Sequence, residues 1–208
     1  SVPATNSYYE KNILSYLSRR AEKESIQKSS LTGKCVEDVM RFEPLTQPYA
    51  EDIVEILYRI RLVYAEVGVN LDDSVWQTIT STHISFLLNH FHPKQSPEFY
   101  CYLGFLYSDC VQDFEFGYEL GCLGIQLMEA VDLKEINCSV SKAFNNSVRF
   151  NIEPLSASLD PLLEAHQMGI ETGDFYNAGF SAVERFQIAF MCGKELNWLK
   201  GELSTLKL

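Results

Sequence analysis

The chain has 208 residues, 46% of them hydrophobic and 22% charged, enough to bury a core without metal or disulfide support. Seventeen basic residues against twenty-eight acidic ones give a net charge of −11, which sets the chain against polyanions, so no nucleic-acid partner is expected. No run reaches the roughly 18 to 20 apolar residues of a membrane span, so no transmembrane segment is expected, although contact with a membrane-associated assembly is compatible with the pattern.

In chain order, Tyr9, Ile13, Tyr16, Leu17 and Arg20 suggest one amphipathic helix, followed by the polar stretch "KESIQKSSLTGK" that reads as a linker. Residues 1–46 are therefore an N-terminal arm, and residues 47–208 a helical domain. Ile53, Ile56, Leu57, Ile60, Tyr64 and Val67 recur at helical spacing; Pro48, Glu51 and Asp52 suit the start of that helix and Gly68 its end. A second helix follows Asp72–Ser74, with Trp76, Ile79, His83, Phe86, Leu87 and His90 on one face, and "HPKQSP" breaks it. A third runs from Phe99 to Cys110. A fourth reaches about Ala130 with Gly117, Gly121 and Gly124, and a fifth covers about Lys134 to Phe150. The sixth carries Leu155, Leu159, Leu162, Leu163, His166 and Ile170. In the seventh, Phe175, Ala178, Gly179, Ala182 and Phe186 form one packing face. In the eighth, Leu196, Leu199, Leu203 and Leu206 face the core and Trp198 points away from it. The fold class is all-α.

Turns at Asp113, Glu153 and Gly193 stand 40 residues apart, the period of stacked helical hairpins. The expected architecture is three to four antiparallel pairs in a short α-solenoid. "ETGDFYNAGF" (171–180) holds one of its turns: Gly173 takes the left-handed position past a helix end, and Asp174 caps the next helix. Asp174 has no carboxylate or histidine partner at helical spacing, so a structural turn is preferred to catalysis.

No nucleotide-binding, zinc-finger or nucleophile motif is complete. "LTGKC" lacks the first glycine and the hydroxyl residue of a phosphate loop, and no Cys pair has CxxC spacing. The six cysteines read as buried, reduced thiols, which points to a reducing compartment. That compartment is the cytoplasm, or an organelle such as a plastid after removal of a targeting peptide, since the chain opens on Ser1. His83, His90 and His92 lack the i, i+4 spacing of helix-borne metal ligands, and His166 reads as a hydrogen-bonded core residue. The sequons at Asn137 and Asn145 fall in a predicted helix and read as accidental. No catalytic, cofactor or metal site is expected.

"GFLYSDCVQDFEFGYELGCLGIQLME" and "LLEAHQMGIETGDFYNAGFSAVERFQIAFMCGKELNWLKGEL" resemble the tetratricopeptide-like repeat region of large signalling ATPases and hybrid sensor kinases. "FEPLTQPYAEDIVEILYRIRLVYAEVG" resembles the segment before those repeats, so the likeness spans about residues 42–208. His166 stands where that family usually has an aromatic, and the ATPase, kinase and sensor domains have no counterpart here. The resemblance implies a solenoid used for protein contacts, without the family's catalysis. The expected function is a scaffold that binds protein partners, subunits of a larger assembly, through Trp198, Tyr8, Tyr9 and Leu206. Two alternatives are a regulatory fragment of a signalling-ATPase system and a small-molecule or metal-dependent enzyme using the His and Cys residues.

Overall fold

The structure, a computed structural model, describes residues 32–42, 50–67, 82–84 and 86–205. Among them every regular element is helical, so the chain is all-α. The backbone divides after His92 into two compact units, 1–92 and 93–208. The composition break at 46/47 lies outside the described residues, as do Tyr8, Tyr9, Trp76 and Leu206.

In the first unit, α1 (Val36–Met40) opens on a reciprocal cap, where the Cys35 N–H and thiol both donate to the Asp38 carboxylate at 3.2 and 3.1 Å. Helix α2 (Ala50–Val67) buries Val54 completely and leaves Ile53, Ile56 and Ile60 exposed, which corrects the expected core stripe. The helix is apolar on two flanks, and spacing alone does not say which flank finds a neighbour. His83 is buried with its ring 6.3 Å from that of Tyr58, and the His90 ring lies 4.7 Å from Phe86.

The second unit begins with α3 (Ser96–Leu106), which widens into a π-helical turn at Tyr107–Val111. Gln112 then takes a left-handed φ of 59°, and Asp113 caps α4 (Phe114–Val131) by accepting the Phe116 N–H at 3.3 Å. After Asp132, also left-handed, comes α5 (Lys134–Ser147). Two 3₁₀ turns, Arg149–Asn151 and Leu155–Ser158, lead into α6 (Leu159–Thr172). Gly173, at φ 82°, turns the chain into α7 (Phe175–Met191); Gly193, at φ 76°, precedes α8 (Leu196–Thr205). Asp174 accepts the Asn177 N–H at 3.2 Å, so the Gly-Asp pair does the work of a cap.

Within this unit α3 packs on α4 and α5, α4 on α5, α5 on α6 and α7, α6 on α7, and α7 on α8. The core runs through it as separate clusters. Cys101, Ile136, Val140, Phe144 and Val148 join α3 to α5. Cys138, Ala165 and Ala178 join α5, α6 and α7; Leu159, Leu162, Ile188, Ala189 and Leu199 join α6, α7 and α8. His166, buried in α6, donates its Nδ1 proton to the Ala178 carbonyl at 2.9 Å, since a carbonyl can only accept.

Glycines set the α3–α4 distance. A Cβ on Gly104 would lie 2.5 Å from the Gly117 carbonyl oxygen, and one on Gly124 would lie 2.6 Å from both the Pro97 carbonyl oxygen and the Cys101 sulfur. Gly179 is different: no atom comes within 4 Å of the place its Cβ would take, so its expected role in close packing is not seen. Gly124→Ala is therefore expected to destabilise the unit by about 1–3 kcal/mol through overpacking. Gly179→Ala should stabilise it by up to about 1 kcal/mol through helix propensity. Urea denaturation of the two variants checks the contrast; equal effects would contradict the packing described.

Candidate protein-contact surface

Helix α7, "FYNAGFSAVERFQIAFM", is built with two unlike faces. Its inner face is small: Ala178, Ser181, Ala182 and Ala189 are buried together with Arg185 and Ile188, which lets α6 approach closely. Its outer face is large and apolar. Phe175 is 67% exposed, Phe190 60% and Val183 54%, with Tyr176, Phe180 and Met191 also open to solvent. At 100° per residue, the nine positions on the arc from Phe175 round to Met191 include no charged side chain. Phe175 was expected on the packing face with Ala178 and Ala182; it sits outside that face because the buried arc is narrower than the apolar one.

Polar groups border this face on the α5 side. Lys142 on α5 donates to the Asn177 side-chain oxygen at 2.7 Å, with its ammonium 5.8 Å from the Tyr176 ring centre and 5.6 Å from that of Phe180. The Asn177 amide in turn donates to both Asp174 carboxylate oxygens, at 3.1 and 2.9 Å. The chain Asp174–Asn177–Lys142 therefore fixes the start of α7 against α5. One turn past Phe180, Glu184 has an oxygen buried without a hydrogen-bond partner among the described residues. Burial pushes its carboxyl from an ordinary value of 4.5 up to about 7, and the Lys142 charge opposes that rise.

At the other end, Arg185 holds α8 in place. Its Nε donates to the Leu159 carbonyl at 3.0 Å, and its Nη1 pairs with the Glu202 carboxylate. Trp198 lies beside Arg185, its ring centre 5.4 Å from the Arg185 guanidinium and 5.5 Å from the Lys194 ammonium. Trp198 thus packs on its own chain while staying 37% exposed. Leu196, expected on the core side, is 72% exposed, and Leu199 alone of that pair is buried. Helix α8 is too short and too lightly packed on α7 for all of its leucines to find cover.

Elsewhere in the unit, Arg149 ties two turns together, donating to Glu153 at 2.9 Å and to Asn145 at 3.1 Å. The Tyr118 hydroxyl also donates to Glu153, at 2.5 Å; the Arg149 and Tyr118 bonds together hold that carboxyl below its usual range. Asn145 is buried and donates to the Ser141 carbonyl at 2.9 Å, which leaves its sequon closed to a glycan in the folded chain. A cleft of about 180 Å³ lies between Phe105, Asp109, Phe114, Phe150 and their neighbours. It is smaller than the roughly 300 Å³ at which ligand pockets begin. Among the described residues no group of three or more His, Cys, Asp or Glu is placed to hold a metal ion, and no helix is long and apolar enough to cross a membrane.

The cysteines divide. Cys101 and Cys138 are buried, Cys122 is half-buried, and Cys35 and Cys192 are exposed, which corrects the expectation of uniformly buried thiols. Both exposed ones sit at helix ends, where apolar spacing carries no information about burial. Burial lifts the Cys101 thiol far above its usual range and that of Cys138 up to about 11. Hydrogen bonds to Glu37 and Asp38 raise that of Cys35.

Of the residues singled out from sequence, Gly173, Asp174 and Gly193 stand at the turns flanking α7, and Trp198 stands beside its end. Lys142, Glu184 and Arg185 were not singled out, because nothing in their local spacing announces contacts to other helices. Compared with models of known protein families, with curated proteins and with solved structures, the chain matches none.

Two measurements follow from these environments. In a timed thiol-modification assay near neutral pH, Cys192 is expected to react before Cys35, with Cys101 and Cys138 protected until denaturant is added; early modification of Cys101 would contradict its burial. Glu184 makes stability depend on pH. Because its folded value lies above the unfolded one, its contribution is complete below about pH 4.5 and is lost as pH rises towards 7. Glu184→Gln should remove that slope and exceed the parent in stability by about 1–2 kcal/mol above pH 7.5, a figure reduced for partial exposure. Parallel thermal melts from pH 4.5 to about 8 test this, and a parent–variant difference independent of pH would reject it.

Proposed function

We propose that the chain is a non-catalytic helical-repeat scaffold that binds protein partners and helps assemble a larger complex. The observation that carries this reading is the outer face of α7, an apolar, charge-free surface on a chain of net charge −11. Scattered surface hydrophobics are ordinary, whereas contiguous exposed apolar patches mark protein contact. The order of helix contacts supports the repeat reading: α3 meets α5 and α5 meets α7, as first helices of successive hairpins do in a solenoid. In such a stack the outer face of α7 is where the next hairpin would pack. The tetratricopeptide-like resemblance of residues 42–208 agrees with this.

The test is affinity purification of the tagged chain from its native source, beside a variant carrying Phe180→Asp and Val183→Asp. Both residues are exposed, so the variant is expected to keep its far-UV circular dichroism and to lose the co-purifying proteins. Recovery of the same proteins by parent and variant would remove this face from the argument, and recovery of none by either would count against the scaffold itself.

A further inference from the structure

We infer that α7 is the seam of a symmetric homodimer. The inference rests on the reading of this face as a protein-contact surface and names the occupant: a second copy of the chain. Along the exposed side of α7, Tyr176, Phe180, Val183, Gln187 and Phe190 follow one another at intervals of four, three, four and three residues. That alternation is the 3.5-residue repeat that keeps one seam facing a partner helix, and all five side chains are exposed in the isolated chain. Neighbouring helices within the unit cover the opposite arc of α7, so the seam is unoccupied by the described residues.

Gln187 selects the occupant. A foreign helix with a wholly apolar seam would bury its amide without a partner. A primary amide both donates and accepts, so a two-fold axis passing near Val183 and Gln187 lets each amide answer its own copy. Single polar seam residues are known to fix register and copy number in this way. Charge does not forbid this occupant. The net charge of −11 opposes self-association at long range, but no like charges meet at the seam, and salt screens the remainder beyond about 8 Å at physiological strength. The area also suffices. Taking about 200 Å² for each fully exposed aromatic side chain, the seam with Phe175 and Met191 offers roughly 650 Å² per copy. That is most of the roughly 800 Å² a side of a stable interface.

Sedimentation velocity on the purified full chain, from about 1 to 200 µM and at low and high salt, decides the matter. The expected species has twice the 23.7 kDa chain mass, and its dissociation weakens as salt is raised. A contact held by opposite charges would weaken in salt instead. Val183→Glu, at a position 54% exposed, should leave circular dichroism unchanged and raise the dimer dissociation constant at least tenfold. Gln187→Leu should keep association but lose the single stoichiometry. A monomer at about 200 µM, or a dimer that Val183→Glu leaves intact, overturns the inference. A monomer that still captures other proteins through this face sinks the dimer and leaves the scaffold reading standing. A seam-dependent dimer that captures nothing else does the reverse.

Discussion

Between α3 and α4 the backbones approach until only glycine hydrogens separate them, and the rest of the second unit is arranged around that crossing. Gly104 faces the Gly117 carbonyl, Gly121 faces the Val148 and Phe144 side chains, and Gly124 faces Pro97 and Cys101. Each of these glycines costs its helix about 1 kcal/mol against alanine. What offsets the cost is contact: with the two backbones this close, Phe144 and Val148 reach in from the end of α5, and Cys101 is sealed completely. The π-helical turn at Tyr107–Val111 belongs to the same crossing, because it places Ser108 against Gly117, where any Cβ would collide with its hydroxyl. A wider α3–α4 spacing would remove the seat on which α5 rests, and α5 carries α6 and α7 in turn.

Adjacent residues on α7 show how differently one helix can treat two charges. Arg185 is buried and fully engaged, with a carbonyl, a carboxylate and an aromatic ring around its guanidinium. Breaking such a set by removing one member leaves a charge without compensation, which costs more than the set contributes by being present. Glu184 has burial without the partners, and it responds by holding its proton to about pH 7. One residue anchors α8 to the body of the unit; the other is a local weakness tolerated at the edge of the exposed face. Trp198 belongs with the first. Its ring packs on the Arg185 guanidinium and the Lys194 ammonium, which gives a role to a tryptophan that helical spacing places away from the leucines.

How much of this the sequence discloses varies by element. The limits of α7 follow from the Asp174 cap and the glycines at 173 and 193, whereas α5 ends at Ser147, short of the expected Phe150, with no side-chain cap at its start. The turn before α4 was harder, because Gln112 occupies a left-handed position with no glycine to advertise it. The widened π turn is likewise invisible, since it lies at the end of α3, where too few residues follow for the shift in phase to be read. Burial was the least legible property. Ile53, Ile56 and Ile60 in α2, and Phe175 in α7, are apolar and regularly spaced, and each is exposed. A periodic pattern gives the phase of an apolar stripe but cannot decide between two stripes on one helix; only the position of the neighbours does that. The polar ties Lys142–Asn177 and Arg185–Glu202 join residues 35 and 17 positions apart, beyond the range of any local rule.

Helices α5 and α7 contrast in what they leave open to solvent. Helix α5 touches four other helices, and still its exposed positions are polar: Lys134, Glu135 and Asn146. Helix α7 has fewer neighbours and exposes Phe175, Tyr176, Phe180, Val183 and Phe190. If solvent were the permanent environment of that face, charged residues there would cost nothing in packing and would protect the chain from association. A helix apolar on nearly all sides belongs to an interior. The sequence of α7 is therefore suited to an environment that the helices packed on it among the described residues do not provide. A helix packed on that face would supply such an environment, and it would have to answer the amide at Gln187.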